Sequence, residues 1–348
     1  SALTNDVLLL TSAAVGGSGT VTFTWNFGDG ETPTVTTETE IEHAFTTGGV
    51  YRVKVTATCA EQVVEAEVDF AIIVAHRTTY LNSTNEHPQI PYDTPERAAT
   101  TLDDAIGMYT NALSNGRMDG TVFTNGVVIK VAEGVYTQYG TVLATPITIE
   151  GEVADPTRVI FQAQTEAPTA AESEVAAKTP FKLTHPLAVL RGLTIRNGKC
   201  GGKTLKSNGG NVNMSAGLVE DCMISAGAEN YGANGANLAM SGGRVNRCMI
   251  EKGRVYGRKS YGLASQALIS GGVLENSLLV ESYVDSVEEI SSPRSAVALT
   301  GGTMINCLIV NNLGLYTAVP SWTAAVRCTS LGKVVNCVIY GNGGTAAA

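Results

Sequence analysis

The sequence predicts an all-β protein of two unequal domains, a small antiparallel β-sandwich followed by a right-handed parallel β-helix with an N-terminal capping helix. Three observations carry that expectation. The 348 residues include 38 Gly, only 6% aromatic and only 16% charged residues, a chain rich in small, turn-forming and β-branched types where about a quarter charged is usual. Short alternating runs between turn clusters occupy the first 75 residues. In the second half one octet recurs at intervals of 26–30 residues, the period of a solenoid in which each repeat buries its apolar face on the next.

The same composition excludes other classes. A chain this rich in Gly and this poor in charge rules out coiled coils and long helical bundles, and 44% hydrophobic residues are enough to bury a core. No apolar run approaches the roughly 20 residues that span a bilayer, and Ser1 is followed by no signal-type stretch, so a targeting peptide is expected to lie outside this sequence. The net charge of -9 is unevenly spread: residues 1–190 carry 9 Lys and Arg against 23 Asp and Glu, and residues 191–348 carry 14 against 9. An acidic total argues against a nucleic-acid partner, whereas a basic second half suits an anionic one such as an acidic polysaccharide. Seven cysteines leave at least one unpaired within the chain, and no metal-type spacing joins them.

Residues 1–75 read as the sandwich. Val21, Phe23 and Trp25 alternate with Thr22 and Thr24 over 19–27, and the run ends at Phe27-Gly28-Asp29-Gly30, a turn of residues that tolerate positive φ. A second strand runs from Tyr51 to Ala57 and a third from Val63 to Val74. Trp25, Phe27-Gly28-Asp29-Gly30, His43-Ala44-Phe45 and Gly49-Val50-Tyr51-Arg52-Val53-Lys54-Val55, in that order, resemble the PKD domain. The resemblance implies an immunoglobulin-like module of secreted and surface proteins, serving as spacer or binder. Within it, Asp29 and His43 are expected to bond turn backbone rather than to form an acid/base or metal pair, and Cys59 to pack as a small hydrophobe.

Residues 76–348 read as the β-helix, with regular coils over about 126–340. Thr94 as N-cap and Pro95 at the first position predict a helix over 95–114, whose stripe of Leu102, Ile106, Tyr109 and Leu113 makes it the cap that an open coil end needs. The octet G-x-φ-x-x-C-φ-φ appears at Gly217–Ile224, Gly243–Ile250, Gly272–Leu279, Gly302–Ile309 and Gly332–Ile339, with a degenerate copy at 190–195. Repeat counting predicts roughly eight or more turns. Gly192, Cys222, Cys248, Ser277, Cys307 and Cys337 are expected to stack as one interior column of compact side chains rather than as a redox or metal site. The helix and coil pattern resembles the pectin-lyase-like β-helix repeat proteins of bacterial surfaces over residues 77–348. That resemblance is shared by lyases, hydrolases, adhesins and stalks, so it leaves function open.

A hydrolase of that fold would need clustered carboxylates, one to protonate the leaving oxygen and one to activate water. Residues 190–348 contain no histidine and none of the paired-carboxylate motifs. A lyase would need Ca²⁺ and a basic residue; otherwise the sequence asks for no cofactor and no metal. One constellation remains. Lys199, Lys203 and Lys206 in one loop, Tyr231 in the next, and Arg254, Tyr256, Arg258, Lys259 and Tyr261 in a third are expected to line one flank, where cations meet carboxylate or sulfate and rings stack on sugar faces. The reading is a secreted or cell-surface, non-catalytic scaffold, adhesin or glycan-binding protein, with a polysaccharide lyase and a filament or surface-layer subunit as alternatives. The expected partners are a polysaccharide or another surface protein, and the chain is expected to continue or to dock at its C-terminal coil.

Overall fold

The computed structural model describes residues 2–14, 19–60, 62–67, 71–114, 126–169, 176–201, 208–229, 234–257, 264–286, 294–316 and 323–346. No described helix is long and apolar enough to cross a membrane. The chain divides into two compact units, Ser1–Lys130 and Val131–Ala348.

In the first unit the alternating run forms Thr22–Asn26, paired antiparallel with Thr34–Thr36 and with Lys54–Cys59, which in turn pairs with Gln62–Glu67. Val7–Thr11 pairs antiparallel with Glu40–Ala44, and Ile72–Ala75 lies between Ala2–Leu3 and Gly49–Tyr51. The expected strand 51–57 is thus two strands, Gly49–Tyr51 and Lys54–Cys59, which belong to different sheets. Phe23, Trp25, Phe27, Phe45, Val53, Ile72 and Val74 form the buried core.

The helix of this unit runs over Leu102–Ser114, not from residue 95, and Pro95–Arg97 is a separate 3-10 turn that Thr94 flanks without a side-chain cap bond. Ala99 bridges to Leu81, which holds the intervening backbone extended. The cap is Thr101: its Oγ1 accepts from the Asp104 N–H at 3.1 Å and donates to the Asp104 carboxylate at 2.6 Å. Leu102, Ala105, Met108 and Tyr109 form its buried stripe, and Tyr109 Oη donates to the His76 carbonyl at 2.9 Å. Residues 76–130, expected with the coil, therefore count with the first unit, because the helix packs on Ala2–Leu3 and Ile72–Ala75.

The second unit is a parallel β-helix. Its second face stacks eight strands in parallel, from Gly134–Thr137 and Val159–Gln162 through Thr194–Arg196, Met223–Ser225, Met249–Glu251, Leu278–Val280 and Leu308–Val310 to Val338–Tyr340. The third face holds six, Lys199–Cys200, Ala228–Glu229, Arg254–Gly257, Tyr283–Ser286, Leu313–Tyr316 and Gly343–Ala346. The first face carries two strands per coil, which fuse into the single strands Leu238–Asn246 and Ala264–Glu275 in the middle of the stack. About six turns are therefore complete, fewer than the eight expected, because among the described residues the first two coils contribute no strand to the third face.

Two of the interior columns that make the core lie on the first and second faces. Ile149, Leu190, Val219, Val245, Leu274 and Met304 line one, and Phe161, Ile195, Ile224, Ile250, Leu279 and Ile309 the other, all fully buried. Burial of each side chain is worth about 1.5–3 kcal/mol, so the columns are the main stabilising feature of the stack.

Corners between faces are single residues in the left-handed region. The first corner is Gly192, Asp221, Arg247, Asn276, Asn306 and Asn336 in successive coils, all at φ of 50° to 64°. This corrects the expected column. Thr194 pairs with Met223, so Leu193, not Gly192, stacks with Cys222, and Gly192 holds the corner one residue earlier. The Cys slot has a second property that the spacing did not reveal. Cys222, Cys248, Cys307 and Cys337 point Sγ at the carbonyl two residues back at 3.2–3.3 Å, and Ser277 Oγ does the same at 2.6 Å. A compact donor clasps the corner, and that is why serine substitutes for cysteine once.

The second corner is Asn197, Ala226, Lys252, Glu281, Asn311 and Gly341. A residue with a Cβ costs about 1–2 kcal/mol in the left-handed region. Glu281 is exposed at φ 55°, so Glu281→Gly is expected to raise stability by about 0.5–1 kcal/mol after the entropy of the added glycine is subtracted. The urea midpoint of the sheet circular dichroism measures it, and an unchanged or lower midpoint would contradict corner strain.

Candidate functional site

Lys199↔Ala228↔Arg254↔Tyr283 are register partners on the third face, so the strands that precede residues 202–207, 230–233 and 258–263 are stacked neighbours in three consecutive coils. Lys203, Lys206, Tyr231, Arg258, Lys259 and Tyr261 lie outside the described residues. Lys199, Arg254 and Tyr256 are described, and they differ. Arg254 is exposed, with its guanidinium carbon 5.8 Å from the centre of the Tyr283 ring and Nη1 3.4 Å from Tyr256 Oη. That cation–π contact braces the charge of an exposed residue.

Lys199 and Tyr256 are buried, at 2% and 8% exposure, so neither presents its side chain to a glycan. The cause is an excursion of the chain between Gln162 and Phe181. Lys178 exchanges both backbone hydrogen bonds with Lys199, at 2.9 and 3.1 Å, and the Pro168 carbonyl accepts from Tyr256 Oη at 2.9 Å. Asn197 Nδ2 bonds the Gln164 and Thr165 carbonyls at 3.0 and 2.9 Å, tying the excursion down. Proline and alanine in 163–178 carried no periodic signal that could have placed it there.

A second charged assembly lies on the first face and was not anticipated, because its members come from separate repeats. Arg191 reaches Glu220 at 2.6 Å and Glu150 at 3.4 Å. Arg247 reaches Glu220 at 2.9 Å and Asp221 at 2.7 Å, and Arg244 pairs with Glu275. Apart from this assembly, on the second face, Lys252 pairs with Glu251 at 3.1 Å. The Asp221 hydrogen bond raises the Arg247 guanidinium further above its ordinary value, and Glu220 does so for Arg191. Water screens these pairs, which limits their contribution to stability. Glu150, Glu220, Asp221, Glu251 and Glu275 each have a cationic partner.

The thiols are equally quiet. All seven cysteines are free. Burial pushes Cys200 and Cys222 well above the usual thiol value and Cys307 up to about 12, so none of these three is a thiolate at neutral pH. Iodoacetamide on the native chain is expected to modify exposed Cys328 first and to reach Cys200, Cys222, Cys248 and Cys307 only after denaturation. Peptide mass mapping reads this, and early labelling of Cys222 would sink the assignment.

In the first unit, His43 Nε2 lies 2.7 Å from Asp29 Oδ2, and Asp29 Oδ1 accepts from the Glu31 N–H at 3.1 Å. Asp29 thus bonds turn backbone as expected, whereas His43 bonds Asp29 instead of backbone. The imidazole stacks on Phe27 with centroids 3.6 Å apart and meets Phe45 edge-on at 4.7 Å. Tyr51 stacks on Phe45 and donates to the Thr47 carbonyl at 2.9 Å. Gly28 at φ 76° lies against Arg52, where a Cβ would come within 2.8 Å of the carbonyl. Asp29, Glu31 and His43 have donor atoms within 4.8 Å of one another, and the two bonds of Asp29 tie the turn to His43.

Among solved structures, the chain is similar to YbhC of Escherichia coli, at 14% identity and a TM-score of 0.37 over 74% of this chain and 72% of that one. It is also similar to a pectin methylesterase in complex with a hexasaccharide, at 13% identity and a TM-score of 0.34 over 74% of this chain and 92% of that one. At these scores the likeness adds nothing to the strand register. No curated protein matches the chain. Residues 4–74 match the family model of the PKD domain. With Trp25, Phe27, His43 and Tyr51 assembled as described, the chain carries a PKD domain ahead of a parallel β-helix.

Proposed function

We propose that the protein is a non-catalytic, cell-surface or secreted scaffold whose β-helix binds an anionic glycan along the third-face flank. The observation that carries this reading is Arg254: an exposed cation seated on Tyr283, at the start of the strand that precedes Arg258, Lys259 and Tyr261 in sequence. A guanidinium braced on a ring is organised for carboxylate or sulfate, and adjacent rings suit sugar faces. Support for a binding rather than a cleaving role comes from the ion-paired carboxylates of the first face, since glycoside hydrolysis needs one carboxyl protonated and a second one free. The PKD domain, a module typical of extracellular proteins, fits the location.

The test is titration of polygalacturonate, a heparin-like glycan and a neutral glycan against the wild type and Arg254→Ala/Arg258→Ala/Lys259→Ala. Preferential, salt-sensitive binding of an acidic glycan, weakened at least tenfold in the variant, is expected. Equal and salt-insensitive binding by both proteins removes the flank from consideration. A Ca²⁺-dependent rise in absorbance from unsaturated uronate would replace binding with lyase activity.

A further inference from the structure

The first unit holds a cavity of about 500 Å³ between the turn Thr4–Asp6 and the chain that leaves the PKD domain, with His76, Arg77, Thr78, Tyr80 and Asp93 on its walls. That volume lies within the range of small-molecule sites, about 300 to 1,000 Å³, but the aliphatic side chains that usually dominate such sites do not line it. Every lining residue carries a side-chain hydrogen-bonding group.

Two carboxylate oxygens of these residues are short of donors. Asp6 is 6% exposed, and its Oδ2 accepts from the Leu3 N–H at 3.1 Å. Among the described residues no donor lies within hydrogen-bond distance of Oδ1, since Arg77 Nη2 stands 3.9 Å away. Burial accordingly raises the Asp6 carboxyl above its ordinary value, against the opposing effect of the Leu3 amide and Arg77. Asp93 Oδ1 pairs with Arg97 at 3.0 Å, and His76 Nε2 is 3.5 Å from Asp93 Oδ2. That ring nitrogen accepts from the Gly48 N–H at 3.3 Å, so it has no proton to give Asp93. A buried carboxylate that lacks donors is costly, and a ligand that brings them removes the cost.

We propose that this cavity binds a neutral sugar ring, two of whose hydroxyls donate to Asp6 Oδ1 and Asp93 Oδ2. Charge selects against an ionic ligand. Each carboxylate is faced by one guanidinium, Arg77 for Asp6 and Arg97 for Asp93, which leaves no net charge to hold an ammonium or a carboxylate. A hydroxyl suits such a site because it accepts as well as donates: while it gives its proton to a carboxylate, it takes one from the Asn5 amide or the Thr78 hydroxyl. Tyr80 supplies a ring for the C–H face of the sugar. The site belongs to the first unit and takes an uncharged ligand, so it does not rest on the reading of the third-face flank.

The experiment is titration of the isotope-labelled full chain, followed by its amide resonances, with the methyl glycosides of glucose, galactose, mannose, xylose and fucose. Methylammonium and acetate are the ionic controls. At least one glycoside should shift the Asn5, Asp6 and Thr78 amides saturably in the millimolar range, and neither ion should. Asp6→Asn keeps an oxygen for the Leu3 N–H but turns a donor toward the cavity, and it should weaken that binding at least tenfold. Arg254→Ala/Arg258→Ala/Lys259→Ala should bind the glycosides as the wild type does, which separates this site from the flank. If Asp6→Asn fails to fold, nuclear Overhauser contacts between the glycoside and the Tyr80 ring of the wild type decide the matter, and their absence refutes the site. No saturable shift with any glycoside overturns the proposal. So does saturable binding of methylammonium or acetate at the same amides, and so does glycoside binding that Asp6→Asn leaves unchanged.

Discussion

Gly272→Ala is expected to lower the stability of the β-helix by about 3–5 kcal/mol, at the far end of single-substitution effects. Gly272 sits at φ 79°, and a Cβ there would stand 2.4 Å from the Gly243 carbonyl oxygen, 2.8 Å from the Gly242 carbonyl carbon and 2.9 Å from Met240 Cε. The methionine can swing away, but the backbone atoms belong to the coil below and are held by the sheet. The substitution therefore adds a steric overlap to the 1–2 kcal/mol of an unfavourable dihedral. Gly140 separates the two terms. It has φ 81° but no atom within 4 Å of the added Cβ, so Gly140→Ala should cost only the dihedral term, about 1–2 kcal/mol. Urea midpoints of the sheet signal compare the two. Equal losses would mean that coil-to-coil approach is not what demands glycine in the octet.

Asn237→Leu is expected to cost about 3–5 kcal/mol although leucine is apolar and similar in size. Asn237 is fully buried and makes four hydrogen bonds. Its Oδ1 accepts from the Gly227 N–H and Asn211 Nδ2, both at 2.8 Å, while Nδ2 donates to the Glu251 carbonyl at 2.7 Å and Gln266 Oε1 at 2.6 Å. Leucine strands those partners, and each buried unsatisfied group costs about 1–3 kcal/mol. The same amide clasp recurs one coil earlier, where Asn211 accepts from Gly198 and donates to the Ser225 carbonyl, and one coil later at Gln266. Asn237→Asp gives a signed test. An ionised carboxylate cannot donate to Glu251, so burial should raise its folded-state pKa. Stability should then be highest where the acid is protonated in both states and fall as pH rises through the raised value. Unfolding midpoints at pH 4 and pH 7, with exchange of the Gly227 amide, distinguish this from a pH-independent loss caused by shape alone.

The octet was legible because its constraint is periodic. Gly217, Gly243, Gly272 and Gly302 recur since each coil meets the same backbone below it, and the apolar pairs after the Cys slot recur because one column runs through the interior. Gly192 was misassigned for a related reason. Spacing alone cannot separate a residue at a left-handed corner from its neighbour in the column, whereas strand register does so at once. The amide clasp was missed because Asn211 and Asn237 stand just ahead of first-face strands and Gln266 lies within one, while Asn312 and Asn342, which join it, come from a different part of their coils. A polar ladder that changes strands has no fixed period.

The candidate site divides in the same way. The clustering of basic residues and the stacking of the strands before them were readable from repeat spacing. The burial of Lys199 and Tyr256 was not, because it is imposed by Pro168 and Lys178 from a non-repeating excursion. The ion-paired first face was equally out of reach, since Arg191 meets Glu220 across 29 residues and Glu150 across 41.

By itself, then, the sequence determined the PKD signature, the coil period and the residues that face inward, since all three follow from local patterns repeated along the chain. The tertiary structure alone decided which residue turns each corner and which cations remain at the surface. Those outcomes depend on contacts between segments far apart in sequence, where register and burial, not composition, set the energy.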